Sequence, residues 1–456
     1  MSRGAEKTRV PLLMRDRSFY HTFLILAGTL ILEQAVVLSV NLADNLMIGS
    51  YNETALAAVA AVNQIVFVVQ QVIYGVTNGV IVLSSQYWGK QQTAPIRRLV
   101  CLGLRLEAAL SMLFFTVVSL WPAQCVGLFV TDAAIIAEGV RYLRVIRFTF
   151  PFFAVTTVLL GAMRSVETVS LALKVSVVSL VTNCVINYIL IFGKFGFPQL
   201  GIAGAAIGSS LSELVSVIFF IIYTWKRIDC KKYALNILPK FRSQTLKRIL
   251  NISVWTMIQN FVSLSTWFMF FLFVEHLGER SLAIANIIRN VSGIPFMIAM
   301  AFAATCGSLV SNLIGAGEQD CVRGTIRQHI RIGYVFVIPI LIFFCLFPDL
   351  VLSIYTDMPD LREASIPSLW VLCSAYLVLV PANVYFQSVS GTGNTRTALA
   401  MELCVLAIYV TYATYFILYM RMDIAFAWTT ESVYGIFILI FCYRYMKKGN
   451  WQKKKI

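Results

Sequence analysis

The chain has 456 residues, 59% of them hydrophobic and only 13% charged, with a formal net charge of +15. Soluble domains are roughly 45–50% apolar and about 25% charged, so this composition excludes an ordinary soluble protein and fits an integral membrane protein. The 37 Lys and Arg against 22 Asp and Glu would suit a nucleic-acid binder, but their placement, traced below, assigns the excess to membrane topology and leaves no reason to expect nucleic acid as a partner.

The chain opens with five basic residues in 1–18. The apolar run that follows is too long for a cleavable signal segment, and no small-residue cleavage site closes it. A membrane-spanning helix needs about 20 mostly apolar residues. Twelve such spans are expected, over 19–48, 55–86, 99–121, 134–160, 169–192, 201–225, 246–274, 281–314, 330–347, 364–387, 398–420 and 424–443.

The first span, in LEQAVVLSVNLADNLMIG (32–49), carries Glu33, Asn41 and Asp44. A carboxylate at bilayer depth costs roughly 2.5–3.5 kcal/mol on the insertion scale, so a retained one calls for a reason. Asn41 and Asp44 are spaced i,i+3 and can face one neighbour. Asp44 either ends the helix near the interface or forms a proton or cation site facing the bundle interior, and the second reading is the stronger. Glu33 lies on nearly the same face. It either neutralises an arginine inside the bundle or faces the substrate path.

The fourth span begins EGVRYLRVIRF, with Arg141, Arg144 and Arg147 every third residue. This stripe either snorkels to phosphate headgroups or lines a positively charged cavity wall. The fifth span holds Asn183 and Asn187, one turn apart on a single face. Such amides either hold helices together or serve a site. The sixth begins GIAGAAIGSSLSE, whose small residues permit close backbone approach and whose Ser209, Ser210 and Ser212 offer hydroxyls. If spans one, five and six pack together, these oxygens surround Asp44. Oxygen ligands suit a hard cation such as Na⁺, and a lone carboxylate equally suits H⁺. Arg289 and Glu213 are expected to be partnered inside the bundle. Pro151, Pro295, Pro339 and Pro381 fall within spans, where proline often marks a kink.

Of the 37 lysines and arginines, 28 lie in the tails and alternate connections on one side and four on the other. Both termini are therefore expected in the cytoplasm of a multi-pass protein of the plasma membrane. A shift of 226 residues superposes Leu56–Ala57 on Leu282–Ala283, Ser85 on Ser311, Gly89 on Gly315, Arg97 on Arg323, Pro122 on Pro348 and Ala172–Leu173 on Ala398–Leu399. It also carries span onto span. Six spans per half is an even number, so the halves are parallel repeats. The expected organisation is an N-terminal lobe over 1–225, a basic linker over 226–245 and a C-terminal lobe over 246–456. A duplicated all-α bundle of this kind suits a transporter alternating between two openings, and a self-contained duplication suits a monomer.

Nothing points to an enzyme. The ten cysteines are scattered through apolar runs, and His21, His276 and His329 are far apart. No metal spacing, nucleophile triad or phosphate-binding glycine loop appears, so neither a cofactor nor a metal is expected beyond a coupling H⁺ or Na⁺. GTGNT (391–395) reads as a tight turn.

Several stretches resemble the multidrug and toxic compound extrusion (MATE) family. NLADNLMIGSYNETALAAVA (41–60) is similar to its first-helix signature. SSQYWGKQQ (84–92) resembles the end of its second helix, and SNLIGAGEQD (311–320) the end of its eighth. VSGTGNTRTAL (389–399) resembles the loop opening the eleventh helix, and MRSVETVSLAL (163–173) is its first-half counterpart, with Glu167 in place of the usual Gly. The resemblance spans essentially the whole chain. It implies a V-shaped pair of six-helix lobes and cation-coupled antiport of organic cations and drugs. It also implies a cation site at Asp44, Asn183, Asn187 and Ser209, with Asn187 where many members have Asp and Ser209 where Thr is frequent. Other members place acids in helices seven and ten; 246–274 and 364–387 contain none, so coupling through the C-terminal lobe is not expected. Glu33 receives no role from the resemblance. A flippase for a polyprenyl-linked oligosaccharide, from the same superfamily, is the alternative that the helix-four arginines would favour.

Overall fold

The computed structural model describes residues 28–37, 39–40, 43–44, 47–48, 53–168, 170–227, 242–448 and 450–453. All regular elements among them are helical. The first half supplies α1 (Gly28–Val37), α2 (Glu53–Gly89), α3 (Thr93–Leu120), α4 (Pro122–Gly127), α5 (Ala133–Ile146), α6 (Thr149–Ser165), α7 (Ser170–Phe192) and α8 (Ile202–Arg227). The second supplies α9 (Ser243–Glu275), α10 (Glu279–Ala316), α11 (Val322–Leu346), α12 (Pro348–Ser353), α13 (Pro359–Gly391), α14 (Thr395–Ala413), α15 (Ile424–Ala427) and α16 (Thr429–Lys448). Ten of the described helices are long and apolar enough to cross a membrane, and α5 with α6 makes an eleventh span. The expected first span, 19–48, is described only from Gly28 onward and in part. Large apolar side chains such as Leu113, Leu120, Ile221, Val335 and Ile342 stand exposed, as lipid-facing surface requires.

The expected span 134–160 is one broken span: two helices, α5 and α6, bent by 50°. The cause is Pro151. It has no N–H to donate to the carbonyl of Arg147, four residues earlier, and its ring crowds that carbonyl. Phe150 N–H reaches the Arg147 carbonyl instead, at 3.2 Å, in a tightened turn. Pro295, Pro339 and Pro381 lie inside unbroken helices. At its start, α5 is capped by Asp132, whose carboxylate accepts from Ala134 N–H at 2.8 Å and Ile135 N–H at 3.0 Å.

The repeat is legible in the backbone. Trp121 (φ −128°, ψ 52°) and Phe347 (φ −124°, ψ 51°) occupy the same conformation 226 positions apart, and each is followed by a proline that starts a six-residue helix. Proline suits a first helical position because its missing N–H would be unbonded there. Glu167 and Gly393, also 226 apart, both take the left-handed conformation, with φ of 60° and 78°.

The two lobes meet where the C-terminal ends of α2 and α10 cross. A Cβ on Gly89 would lie 2.0 Å from the Asn312 carbonyl oxygen, and one on Gly315 would lie 1.9 Å from that of Gln86. Asn312 is the repeat equivalent of Gln86, so these are one contact made twice about a pseudo-two-fold axis. Only glycine permits it. The same end is held by Ser85 and Ser308 hydroxyls 3.2 Å apart, by Arg248 donating to the Tyr87 hydroxyl at 3.1 Å, and by Asn312 donating to Glu167 at 2.6 Å. Along α2, Gly75 and Gly79 present a bare face to Met257 and Ser253 of α9. This is the small-xxx-small pattern of close membrane helix packing.

Candidate functional site

Three elements build the site. Helix α7 is buried on the face that carries Asn183 and Asn187, which are 1% and 0% exposed. Helix α8 packs against that face because its first two turns carry glycine every fourth residue. A Cβ on Gly204 would lie 2.7 Å from the Leu190 backbone, and one on Gly208 only 1.9 Å from Asn187 Oδ1. The described residues of the first span bring in Asp44, partly buried.

These side chains form one hydrogen-bonded chain. The Asn187 amide donates to Asp44 Oδ1 at 2.5 Å and to Asn183 Oδ1 at 3.2 Å. Asn183 donates in turn to Ser209 Oγ at 3.3 Å. An NH₂ group has two protons, and Asn187 uses both. Asn187 Oδ1 is buried without a hydrogen-bond partner, an oxygen left over beside a carboxylate. The Asp44–Asn183–Asn187–Ser209 set is thus contiguous. It offers one carboxylate, two amide groups and one hydroxyl, a donor set that fits a proton or a small hard cation.

The other expected residues are placed differently. Asn41 lies outside the described residues. Glu33, 6% exposed, sits 3.7 Å from Arg164 of α6. Arg164 lines a cavity of about 110 Å³ between the lobes, with Asn78, Gln259, Asn260, Gln387 and Ser308. Ser210 faces Thr149, with the hydroxyls 3.0 Å apart, and Ser212 bonds back to Ser209 O, so neither joins the chain at Asp44. The arginine stripe divides: Arg141 and Arg144 are exposed, while the Arg147 guanidinium lies 5.0 Å from the Phe115 ring and 5.3 Å from that of Phe148. Arg289 lies over Phe271 at 5.1 Å.

Sequence reading passed over three features. Gly208 was one small residue among several, and only the packing shows that it makes room for Asn187. Glu107 is fully buried and accepts from Thr77 at 2.6 Å. Glu402 and Glu431 are acids inside the last two spans, a signal visible in AMELCVL and TTESV.

The MatE family model matches the chain twice, over residues 29–189 and 256–415. The chain belongs to the MATE family. The two matches restate the internal repeat, and between them they cover most of the sequence. MATE proteins are membrane transporters, so this is a multi-pass membrane transporter and not an enzyme. The chain is 25% identical over 434 residues to a Thermotoga maritima protein described as "Probable multidrug resistance protein NorM", covering 93% of this chain and 91% of that one. It is 23% identical over 398 residues to "Multidrug resistance protein MdtK" of Pectobacterium atrosepticum, covering 86% and 84%. Among solved structures it is similar to a multidrug resistance MATE transporter of the MOP superfamily in an outward-facing conformation, with a TM-score of 0.86, 16% identity and 98% of each chain covered. A MOP superfamily transporter from Pyrococcus furiosus, reported with a binding pocket of reverse polarity, matches with a TM-score of 0.86 at 17% identity, covering 99% of this chain and all of that one. At such identity the likeness speaks for the fold: all-α, twelve membrane helices in two six-helix lobes arranged as a V.

Proposed function

We propose that this MATE transporter is a cation-coupled antiporter, driven by H⁺ or Na⁺, that exports small organic cations and drugs by alternating access between its two lobes. The single observation that carries this reading is the Asp44–Asn187–Asn183–Ser209 chain, a membrane carboxylate wired through amides into the α7–α8 packing. An ionised Asp44 holds the Asn187 amide by a charge-assisted bond. When Asp44 takes up a proton or cation, that bond weakens and the Asn187 amide is freed to serve Asn183 alone. The ion therefore changes how α7 and α8 hold the first span, which is the differential interaction any ligand needs to shift a conformational equilibrium. The multidrug resistance proteins among its relatives support drugs as the substrate class.

In this reading the protein works as a monomer in the plasma membrane, with the lysine- and arginine-rich side in the cytoplasm. The glycine crossing at Gly89 and Gly315 then closes the cytoplasmic end, and the lobes are open outward. The chain divides as an N-terminal lobe to residue 225, a linker over 226–245 and a C-terminal lobe from 246, with no cofactor beyond the coupling ion.

Uptake of a fluorescent organic cation into everted vesicles tests this, under an imposed pH or Na⁺ gradient, for wild type and Asp44→Asn. Gradient-driven uptake abolished by Asp44→Asn is the expected result, and the effective gradient names the ion. Full uptake by the variant would sink the proposal. No uptake under either gradient, with folded protein in the membrane, would move the assignment to a lipid-linked oligosaccharide flippase.

A further inference from the structure

The C-terminal lobe holds a buried acidic network that the N-terminal site does not use. Glu402 lies in the second turn of α14 and is 2% exposed. It meets Ser263 of α9, whose hydroxyl hydrogen-bonds to Glu402 Oε1. The Tyr434 hydroxyl of α16 meets the same carboxyl. Glu431 accepts from the Tyr409 hydroxyl of α14 at 3.3 Å. The Tyr376 hydroxyl of α13 donates to the Ser292 carbonyl at 2.9 Å. The remaining titratable neighbours are thiols, Cys442 near Glu402 and Cys373 near Tyr376. Among the described residues, neither carboxyl forms an ion pair with a lysine, arginine or histidine.

Proton counting decides what this network contains. Ser263 has one hydroxyl proton and two oxygens within bonding distance: the Gln259 carbonyl at 2.8 Å and Glu402 Oε1. Both contacts are satisfied together only if Glu402 carries a proton and donates it to Ser263, while Ser263 donates to the carbonyl. A carboxylate could take the Ser263 proton, but the Gln259 carbonyl would then lose it. Independently, Glu402 Oε2 is buried with no hydrogen-bond partner. An ionised carboxylate there would be desolvated with only two hydroxyls, of Ser263 and Tyr434, to offset the cost.

We propose that Glu402 is a second proton-binding site of this transporter, loaded and emptied through Ser263. Gln259 lines the inter-lobe cavity and lies one turn before Ser263 on α9. On release, the Glu402 O–H proton passes to Ser263 Oγ as the Ser263 proton leaves to a water molecule. The hydroxyl then turns to the carboxylate, and the Gln259 carbonyl loses its second donor. Helix α9 feels this change, and α9 supplies Met257 and Ser253 to the glycine face of α2 in the other lobe. Proton binding by Glu402 stands on this geometry alone. Its use in coupling rests on the antiport reading above.

Infrared difference spectroscopy on the full-length protein in nanodiscs tests it, since a protonated carboxyl has its own carbonyl stretch. Stepping the pH should reveal a titrating carboxyl band that is lost in Glu402→Gln and shifted in Ser263→Ala and Tyr434→Phe. Those two variants leave the acid in place and guard against a Glu402→Gln variant that fails to fold. A spectrum in which all three leave every titrating band unchanged would overturn the proposal, and so would a Glu402 band that responds to Na⁺ at constant pH. Asp44→Asn, run alongside, separates the two sites: loss of an Asp44 band with no Glu402 band defeats this inference and leaves the first reading standing.

Discussion

Asn312 of α10 donates a 2.6 Å hydrogen bond to the carboxylate of Glu167, reaching from the second lobe to a residue whose backbone is left-handed at φ 60°. The equivalent of Glu167 in the second half is Gly393, at φ 78°, where a Cβ would approach the Gln86 side chain at 3.3 Å. The pseudo-symmetric pair is therefore unequal. One side is a glycine turn, and the other is a glutamate that accepts backbone strain and bonds across the interface. Left-handed backbone costs a side chain such as Glu on the order of 1–2 kcal/mol, close to what one charged hydrogen bond returns.

Glu167→Gly removes the strain and the bond together. Its expected effect on the melting temperature is small, within a few degrees, because the two losses offset. The closed end should nonetheless loosen. A thiol reagent applied from the basic side should label Ser311→Cys, placed in a background without native cysteines, several-fold faster when Glu167 is Gly. Equal labelling rates would show that the bond does not hold the lobes.

Gly208→Ala should abolish or cut transport at least tenfold while the protein still folds and inserts. The added Cβ would stand 1.9 Å from Asn187 Oδ1, so the amide must leave its 2.5 Å contact with Asp44. Uptake in everted vesicles, normalised to folded protein, checks this. Gly204→Ala is the comparison: it meets Leu190 backbone rather than Asn187, so it should cost stability first.

Ser85→Cys with Ser308→Cys, again without native cysteines, should form a disulfide on oxidation, because the native hydroxyls are 3.2 Å apart across the lobes. The crosslinked protein should lose transport, and reduction should restore it. Crosslinking with full transport would mean that this end never opens during the cycle.

Glu33→Gln leaves Arg164 without its carboxylate. Breaking a buried pair typically costs roughly 3–5 kcal/mol, and Arg164 is 25% exposed, so about 2 kcal/mol is the expected loss of stability. Changing Arg164→Gln as well should recover much of it. Denaturation of the two single variants and the double variant gives the coupling directly, and additive losses would show that Glu33 and Arg164 act separately.

Spans, the duplication and the membrane class were open to reading because they are one-dimensional signals. Hydrophobic runs of about 20 residues cannot be reconciled with a soluble chain, and a constant shift of 226 survives low identity because it moves Pro122 onto Pro348 and Gly89 onto Gly315. Asp44, Asn183, Asn187 and Ser209 stood out for the same reason: a polar group in an apolar run is conspicuous before any fold is known. What tertiary structure alone decided is who meets whom. Glu33 and Asp44 looked alike in the sequence, yet one lies beside a guanidinium and the other beside two amides. The break in 134–160 depended on a proline whose missing donor mattered only at one carbonyl. Glu402 is visible as an acid in an apolar run, but its proton followed only from Ser263, 139 residues away, found with two acceptors and one proton. Local sequence sets the cost of each buried polar group, whereas distant packing sets its partner, and partners determine which protons and charges the membrane interior can hold.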